Sequence, residues 1–169
     1  MGFSGVIPDT LKVYHNTSLG KLNSIWDKGL IPGGSENTAQ DWEAFYHNRG
    51  VYLVPAIEIA PAQRFSTTKQ EVELLIEDGV IDAVEIVLSL ELPTNTSKLV
   101  PDEESVDPQD VDEYSGIKEY LFGDSVVWLG KIDISHIRQI YIPDMPAIRG
   151  YVDSMTHTNR DLISYILLK

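Results

Sequence analysis

Cysteine is absent from the 169 residues, which excludes a disulfide scaffold, thiolate metal ligands and thiol nucleophiles. Basic side chains are scarce: 13 Lys and Arg stand against 26 Asp and Glu, for a formal charge of -13. This balance argues against extended nucleic acid as a partner, because neutralising phosphates takes clustered Lys and Arg. A nucleotide-sized ligand is still compatible with it. No window holds the roughly 18 consecutive apolar residues of a membrane span. The start, Met1-Gly2-Phe3-Ser4-Gly5-Val6, has neither the basic nor the apolar stretch of a signal peptide. The expectation is a cytoplasmic protein without membrane contact, and delivery to another cell is compatible with it. The chain also lacks GxGxxG, GxxxxGK[ST], HExxH and GxSxG. Its four histidines (His15, His47, His136, His157) have no ligand-like spacing, so no metal site is expected.

The length suits one domain over 1–169 with a core of its own. Its charge is unevenly spread. Asp102, Glu103, Glu104, Asp107, Asp110, Asp112 and Glu113 follow one another with no intervening Lys or Arg. Such a composition cannot pack into a core and predicts a solvated loop over 101–116. Without these seven, 19 acids face 13 bases, so the surplus is local.

Leu11-Lys12-Val13-Tyr14-His15 alternates as a half-buried strand does. Ser18 then stands where a helix cap would, ahead of Leu19, Leu22, Ile25 and Trp26 on one helical face, and Gly29 closes that helix. After a polar loop and an aromatic segment (Trp42, Phe45, Tyr46), Gly50-Val51-Tyr52-Leu53-Val54 reads as a strand ended by Pro55. Val72, Leu75 and Ile76 predict a helix over 69–78 stopped by Gly79, and 83–92 is a long strand alternating at Val84, Ile86, Leu88 and Leu90. Further strands are expected over 119–122, 126–132 and 137–142, with a helical turn at 133–136. Leu162, Ile163, Ile166 and Leu167 suggest a short amphipathic helix over 160–169. Early helices followed by strands predict an α+β domain with a mostly antiparallel or mixed sheet.

Three separated motifs carry a family resemblance. Tyr14-His15-Asn16-Thr17-Ser18, then Ile25 and Gly29-Leu30-Ile31-Pro32, then Gly50-Val51-Tyr52-Leu53, resembles the opening half of ADP-ribosyltransferases of the poly(ADP-ribose) polymerase type. Ile117-Lys118-Glu119-Tyr120-Leu121-Phe122 is similar to the strand that carries the catalytic Glu in that group, and Ile137-Arg138-Gln139-Ile140-Tyr141-Ile142 fits the closing strand.

The resemblance implies a split mixed or antiparallel sheet with short helices, binding NAD as a substrate without any metal. It implies a His-Tyr-Glu triad of His15, Tyr52 and Glu119. His15 would bond the adenosine ribose, Tyr52 would line the nicotinamide-ribose cleft, and Glu119 would accept from the nicotinamide-ribose hydroxyl. A carboxylate there suits the chemistry, since breaking a glycosidic bond develops oxocarbenium charge that a carboxylate stabilises. Asn16, Thr17 and Ser18 would lie near the nicotinamide.

Two departures accompany the resemblance. Asn16 occupies a position where the family commonly has Gly, and the sequence after Tyr52 lacks the second Tyr that stacks on nicotinamide; Phe65 or Tyr46 is the available substitute. The implied activity is mono-ADP-ribosyl transfer to an acceptor, with the acidic loop favouring a basic protein surface. An RNA 2'-phosphotransferase-like NAD-consuming enzyme and an inactive NAD- or ADP-ribose-binding module are the alternatives. Toxin, effector, phage product and housekeeping modifier are all compatible settings. Each site residue also has a structural reading: His15 as a satisfied strand-end histidine, Tyr52 as core, Ser18 as a cap and Glu119 as a solvated edge residue.

Overall fold

In the computed structural model of the protein, residues 8–32, 49–56, 59–101, 125–155 and 160–169 are described. The 119–122 strand with Glu119, the acidic loop from 102 to 116, and Trp42, Phe45 and Tyr46 lie outside them; Pro101, the first residue of that loop as expected from sequence, closes a strand instead.

Strand β1 (Thr10–Ser18) buries Leu11 and Val13 and runs through a 3-10 turn (Leu19–Lys21) into helix α1 (Leu22–Lys28). Leu19, Leu22 and Ile25 are buried and Trp26 packs beside them, as their helical spacing requires. Gly29 ends the helix at φ 73°, a left-handed angle that a Cβ disfavours. Strand β2 (Gly50–Pro55) follows, then a 3-10 turn (Pro61–Arg64) and helix α2 (Lys69–Glu77). The Thr68 hydroxyl accepts from the Glu71 amide while the Glu71 carboxylate accepts from the Thr68 amide, a reciprocal cap.

Strands β3 (Glu85–Pro93), β4 (Leu99–Pro101), β5 (Val126–Leu129) and β6 (Ile137–Pro143) come next, then helix α3 (Pro146–Asp153) and strand β7 (Ile163–Ile166). The domain is α+β, and its described residues form a seven-stranded mixed sheet ordered β4-β5-β2-β1-β3-β6-β7. The β6/β7 pair is parallel and the other pairs are antiparallel.

One face of the sheet carries the core. Ile86, Leu88, Leu90 and Leu92 of β3 and Ile140 and Ile142 of β6 are wholly buried, roofed by Val72 of α2 and Ile148 and Val152 of α3. Each such aliphatic side chain contributes about 1.5–3 kcal/mol on burial. Val87 is buried on the opposite face too, so β3 is covered on both sides. Among the described residues no helix is long and apolar enough to cross a membrane.

Three sequence expectations are corrected. The segment 160–169 is not a helix: a 3-10 turn (Arg160–Leu162) leads into β7, where Ile163 lies opposite Ile140 and Tyr165 opposite Ile142. The open edge of β6 gives those backbone groups partners that a short isolated helix would have to supply alone. Arg149 stacks on Tyr165 at 4.0 Å and fixes the strand from outside. Ser18 is not a side-chain cap; it closes β1 in extended conformation, and the next amide, that of Leu19, is taken by the Val84 carbonyl at 2.8 Å. The 126–132 strand ends at Leu129, and Ile132 instead forms a separate bridge to Leu30. Helix α3 and β4 have no counterpart in the sequence reading.

Candidate functional site

The sheet is divided at its centre. β1 and β3 pair along nine residues, from Thr10 opposite Pro93 to Ser18 opposite Glu85. β1 and β2 pair only at Val13–Pro55 and Tyr14–Val54, with the Ala56 amide donating to the Lys12 carbonyl at 2.9 Å just beyond. On its other side β2 keeps a full ladder with β5, from Gly50–Leu129 to Leu53–Val126. Past Tyr14, therefore, β1 stays with β3 while the start of β2 stays with β5, and a split opens between them.

Strand geometry fixes which backbone groups face the split. Successive residues send their N–H and C=O to alternate sides of a strand. The Lys12 carbonyl points to β2 and the Leu19 amide points to Val84 beside β3. Tyr14, Asn16 and Ser18 accordingly direct their main-chain groups toward β2, and Tyr52 directs its own toward β1. In an uninterrupted ladder Asn16 and Tyr52 would exchange both bonds, as the next pair after Tyr14–Val54. Instead His15 Nδ1 lies 2.9 Å from the Tyr52 carbonyl oxygen. A carbonyl cannot donate, so the imidazole carries its proton on Nδ1.

Half-buried His15 has its pKa drawn below the ordinary value by desolvation, against which the bond to Tyr52 works. The ring is neutral at neutral pH, and Nε2 keeps a lone pair for accepting a hydroxyl hydrogen. His15 thus holds the carbonyl that the Asn16 amide would otherwise take. The Asn16 N–H and C=O are left facing the split as a donor and acceptor side by side.

The Asn16 side chain is engaged elsewhere. Its Nδ2 donates to the Arg64 carbonyl at 2.7 Å and to Glu85 Oε2 at 2.9 Å. Both neighbours only accept, which fixes the amide's orientation. Glu85 also accepts from the Ser66 amide at 2.7 Å, the Ser66 hydroxyl at 2.7 Å, the Thr67 amide at 3.2 Å and the Thr67 hydroxyl at 3.1 Å. Burial alone would raise the Glu85 pKa. The bonds from Asn16, Ser66 and Thr67 outweigh it, and the carboxyl ionises below its ordinary value. Tyr14 ties down the start of the same segment, its hydroxyl donating to the Ile59 carbonyl at 2.9 Å.

Of the residues singled out by sequence, His15, Asn16, Thr17 and Ser18 lie on the last half of β1, and Tyr52 faces His15 through its carbonyl. The Tyr52 ring packs with Val100 and Val127, a small cluster apart from the main core. Phe65 stands between Arg64, bound to Asn16, and Ser66, bound to Glu85, so its backbone is fixed beside the end of β1. Glu119 and Tyr46 lie outside the described residues. Glu85 was not anticipated; an acid opening an apolar strand was its one signal. Trp128 is buried in the core and Trp26 packs against it, as packing residues do. Among the described residues no group of three His, Asp or Glu is gathered to hold a metal ion.

The sequence matches no family model and no curated protein. Among solved structures the chain is similar to Thermosipho africanus DarTG in complex with ADP-ribose, at a TM-score of 0.45 and 10% identity. The likeness covers 92% of this chain and 49% of that one, so the chain spans about half the length of that protein.

Proposed function

We propose that the protein is an NAD-dependent mono-ADP-ribosyltransferase of the split-sheet type, which takes NAD at the parting of β1 and β2. The observation that carries this reading is the exchange at the split: His15 occupies the Tyr52 carbonyl, and the Asn16 main chain offers an adjacent donor and acceptor. A primary carboxamide such as that of nicotinamide presents the complementary pair, C=O and N–H₂. The His15 Nε2 lone pair suits a ribose hydroxyl. With the Asn16 side chain turned into the Glu85 cluster, Asn at a position usually held by Gly need not obstruct the main chain's approach to a ligand.

In the proposed reaction the bond between ribose C1 and the nicotinamide nitrogen breaks, and nicotinamide leaves with the electron pair. Glu119 accepts a hydrogen bond from the nicotinamide-ribose hydroxyl and stabilises the oxocarbenium charge. A nucleophile of the acceptor then bonds to C1 and loses its proton. Seven acids in 102–113 favour a protein acceptor with a basic surface.

NAD labelled in its adenylate half, incubated with the protein and a cell lysate, tests this reading. Label on a protein is the expected result. Loss of an RNA 2'-phosphate, or retention of NAD without turnover, would contradict it.

A further inference from the structure

The tightest polar assembly among the described residues is the one around Glu85, where five hydrogen bonds converge on a single half-buried carboxylate. A solvated edge acid would not collect two backbone amides, two hydroxyls and an amide side chain. The partners come from two places: Asn16 from β1, and Ser66 and Thr67 from the segment that leads into α2. A second tie joins the same two places, because Asn16 also donates to the Arg64 carbonyl. The two ties fall on either side of Phe65, at Arg64 and at Ser66.

We propose that Glu85 is a positioning residue of the NAD site: with Asn16 it docks the 64–67 segment on the end of β1 and so sets where Phe65 stands. The proposal rests on the split being the NAD site, and it deepens that reading by assigning the aromatic face for the nicotinamide to the docked segment rather than to a second tyrosine after β2. Glu85 touches no substrate. It acts through Asn16, whose main chain faces the split, and through Ser66 and Thr67, which hold Phe65 from the far side.

Two geometric points make the arrangement specific to a carboxylate. Asn16 sits between two acceptors, so its amide nitrogen is committed to both. An amide at position 85 would turn one oxygen into a donor. On the Oε1 side the bonds from Ser66 N, Thr67 N and Thr67 Oγ1 would survive, but the group facing Asn16 would then oppose another donor. Glu85→Gln is therefore expected to keep the segment docked and to disturb Asn16, whereas Glu85→Ala releases both.

The test is steady-state nicotinamide release from NAD by the wild type, Glu85→Gln, Glu85→Ala, Phe65→Ala and the Phe65→Ala/Glu85→Ala double variant, with the melting temperature of each. Glu85→Ala is expected to raise KM for NAD roughly 5- to 100-fold, the range for loss of one base–aromatic stack, with a smaller change in kcat. Glu85→Gln should fall between it and the wild type. In the Phe65→Ala background, Glu85→Ala should raise KM by clearly less than it does in the wild type, because the part of its effect that runs through the ring is no longer present and only the part through Asn16 is left. Should Glu85→Ala not fold, Ser66→Ala combined with Thr67→Ala, which removes two of the bonds that hold the segment and leaves the Asn16 bonds in place, carries the same comparison in the two backgrounds. An unchanged KM in Glu85→Ala, or effects of the two substitutions that multiply, would overturn the positioning role while leaving the NAD site standing. A wild type that neither binds NAD nor releases nicotinamide would overturn the site itself.

Discussion

His15 Nδ1 donates to the Tyr52 carbonyl at 2.9 Å, and it does so where the Asn16 amide would bond if β1 and β2 stayed paired. One side chain thereby ends a ladder and leaves a main-chain donor and acceptor open at the centre of a sheet.

His15→Ala should return the Tyr52 carbonyl to Asn16 and extend the β1/β2 ladder by one pair. Hydrogen exchange reads this directly: the Asn16 amide should exchange more slowly in His15→Ala than in the wild type. His15→Asn keeps a donor for Tyr52 but has no Nε2. It should fold with near-native stability and weaken NAD binding roughly 3- to 10-fold, the size of one neutral hydrogen bond of about 0.5–1.5 kcal/mol. Equal affinity in calorimetric titration would remove Nε2 from binding.

The His15 pKa is lowered on folding, mainly by desolvation. The unfolded chain therefore takes up the proton first. The stability contribution of neutral His15 should be full above the ordinary value of 6.5, decline as pH falls below it, and level off beneath the native pKa. NAD affinity should decline through the native pKa, because a protonated Nε2 no longer accepts. Urea melts of wild type and His15→Asn between pH 5 and 8 check this, the variant showing the flatter profile.

Glu85 has the opposite sign. Its carboxyl is held below the ordinary value of 4.5 in the folded state, where hydrogen bonds to the charged form overcome burial. Its contribution should be complete above 4.5 and disappear as pH falls through the lower, native pKa. Glu85→Gln should flatten that part of the acid limb. A wild-type slope retained in the variant would contradict the account of this cluster.

Gly29 combines a φ of 73° with close approach to the Ile132 carbonyl, which would meet any Cβ at that position. Gly29→Ala should cost about 1–3 kcal/mol from the backbone alone, since φ 73° with ψ -161° is a conformation essentially confined to glycine, and more from displacing the paired backbone bonds of Leu30 and Ile132, both 2.9 Å. Thermal unfolding measures it, and a loss of less than about 0.5 kcal/mol would show that the bridge yields freely.

Much of the architecture was legible where periodicity was long and one-sided. The helical face of Leu19, Leu22 and Ile25 and the alternation of Ile86, Leu88 and Leu90 follow from spacing; the turn expected at 133–136 is a 3-10 turn at 134–136 capped by Asp133. The β7 segment misled because Leu162, Ile163, Ile166 and Leu167 fit a helical stripe equally well, and the open edge of β6 decided the outcome. β4 is three residues long, too short to show a period. At the site, His15 and Asn16 stood out by type and order. The Glu85 cluster did not, because its bonds join residues 16, 66, 67 and 85, and no local pattern records which polar residues folding brings together.

Nicotinamide release from NAD by the wild type and by Glu119→Gln tests the central claim most directly. An amide at 119 preserves shape and loses the charge that stabilises the oxocarbenium. The expected result is turnover by the wild type and a rate lower by roughly 100-fold or more in the variant, the scale for losing one preorganised electrostatic contact. Equal rates would contradict the role of Glu119, and no release by the wild type would contradict the account as a whole.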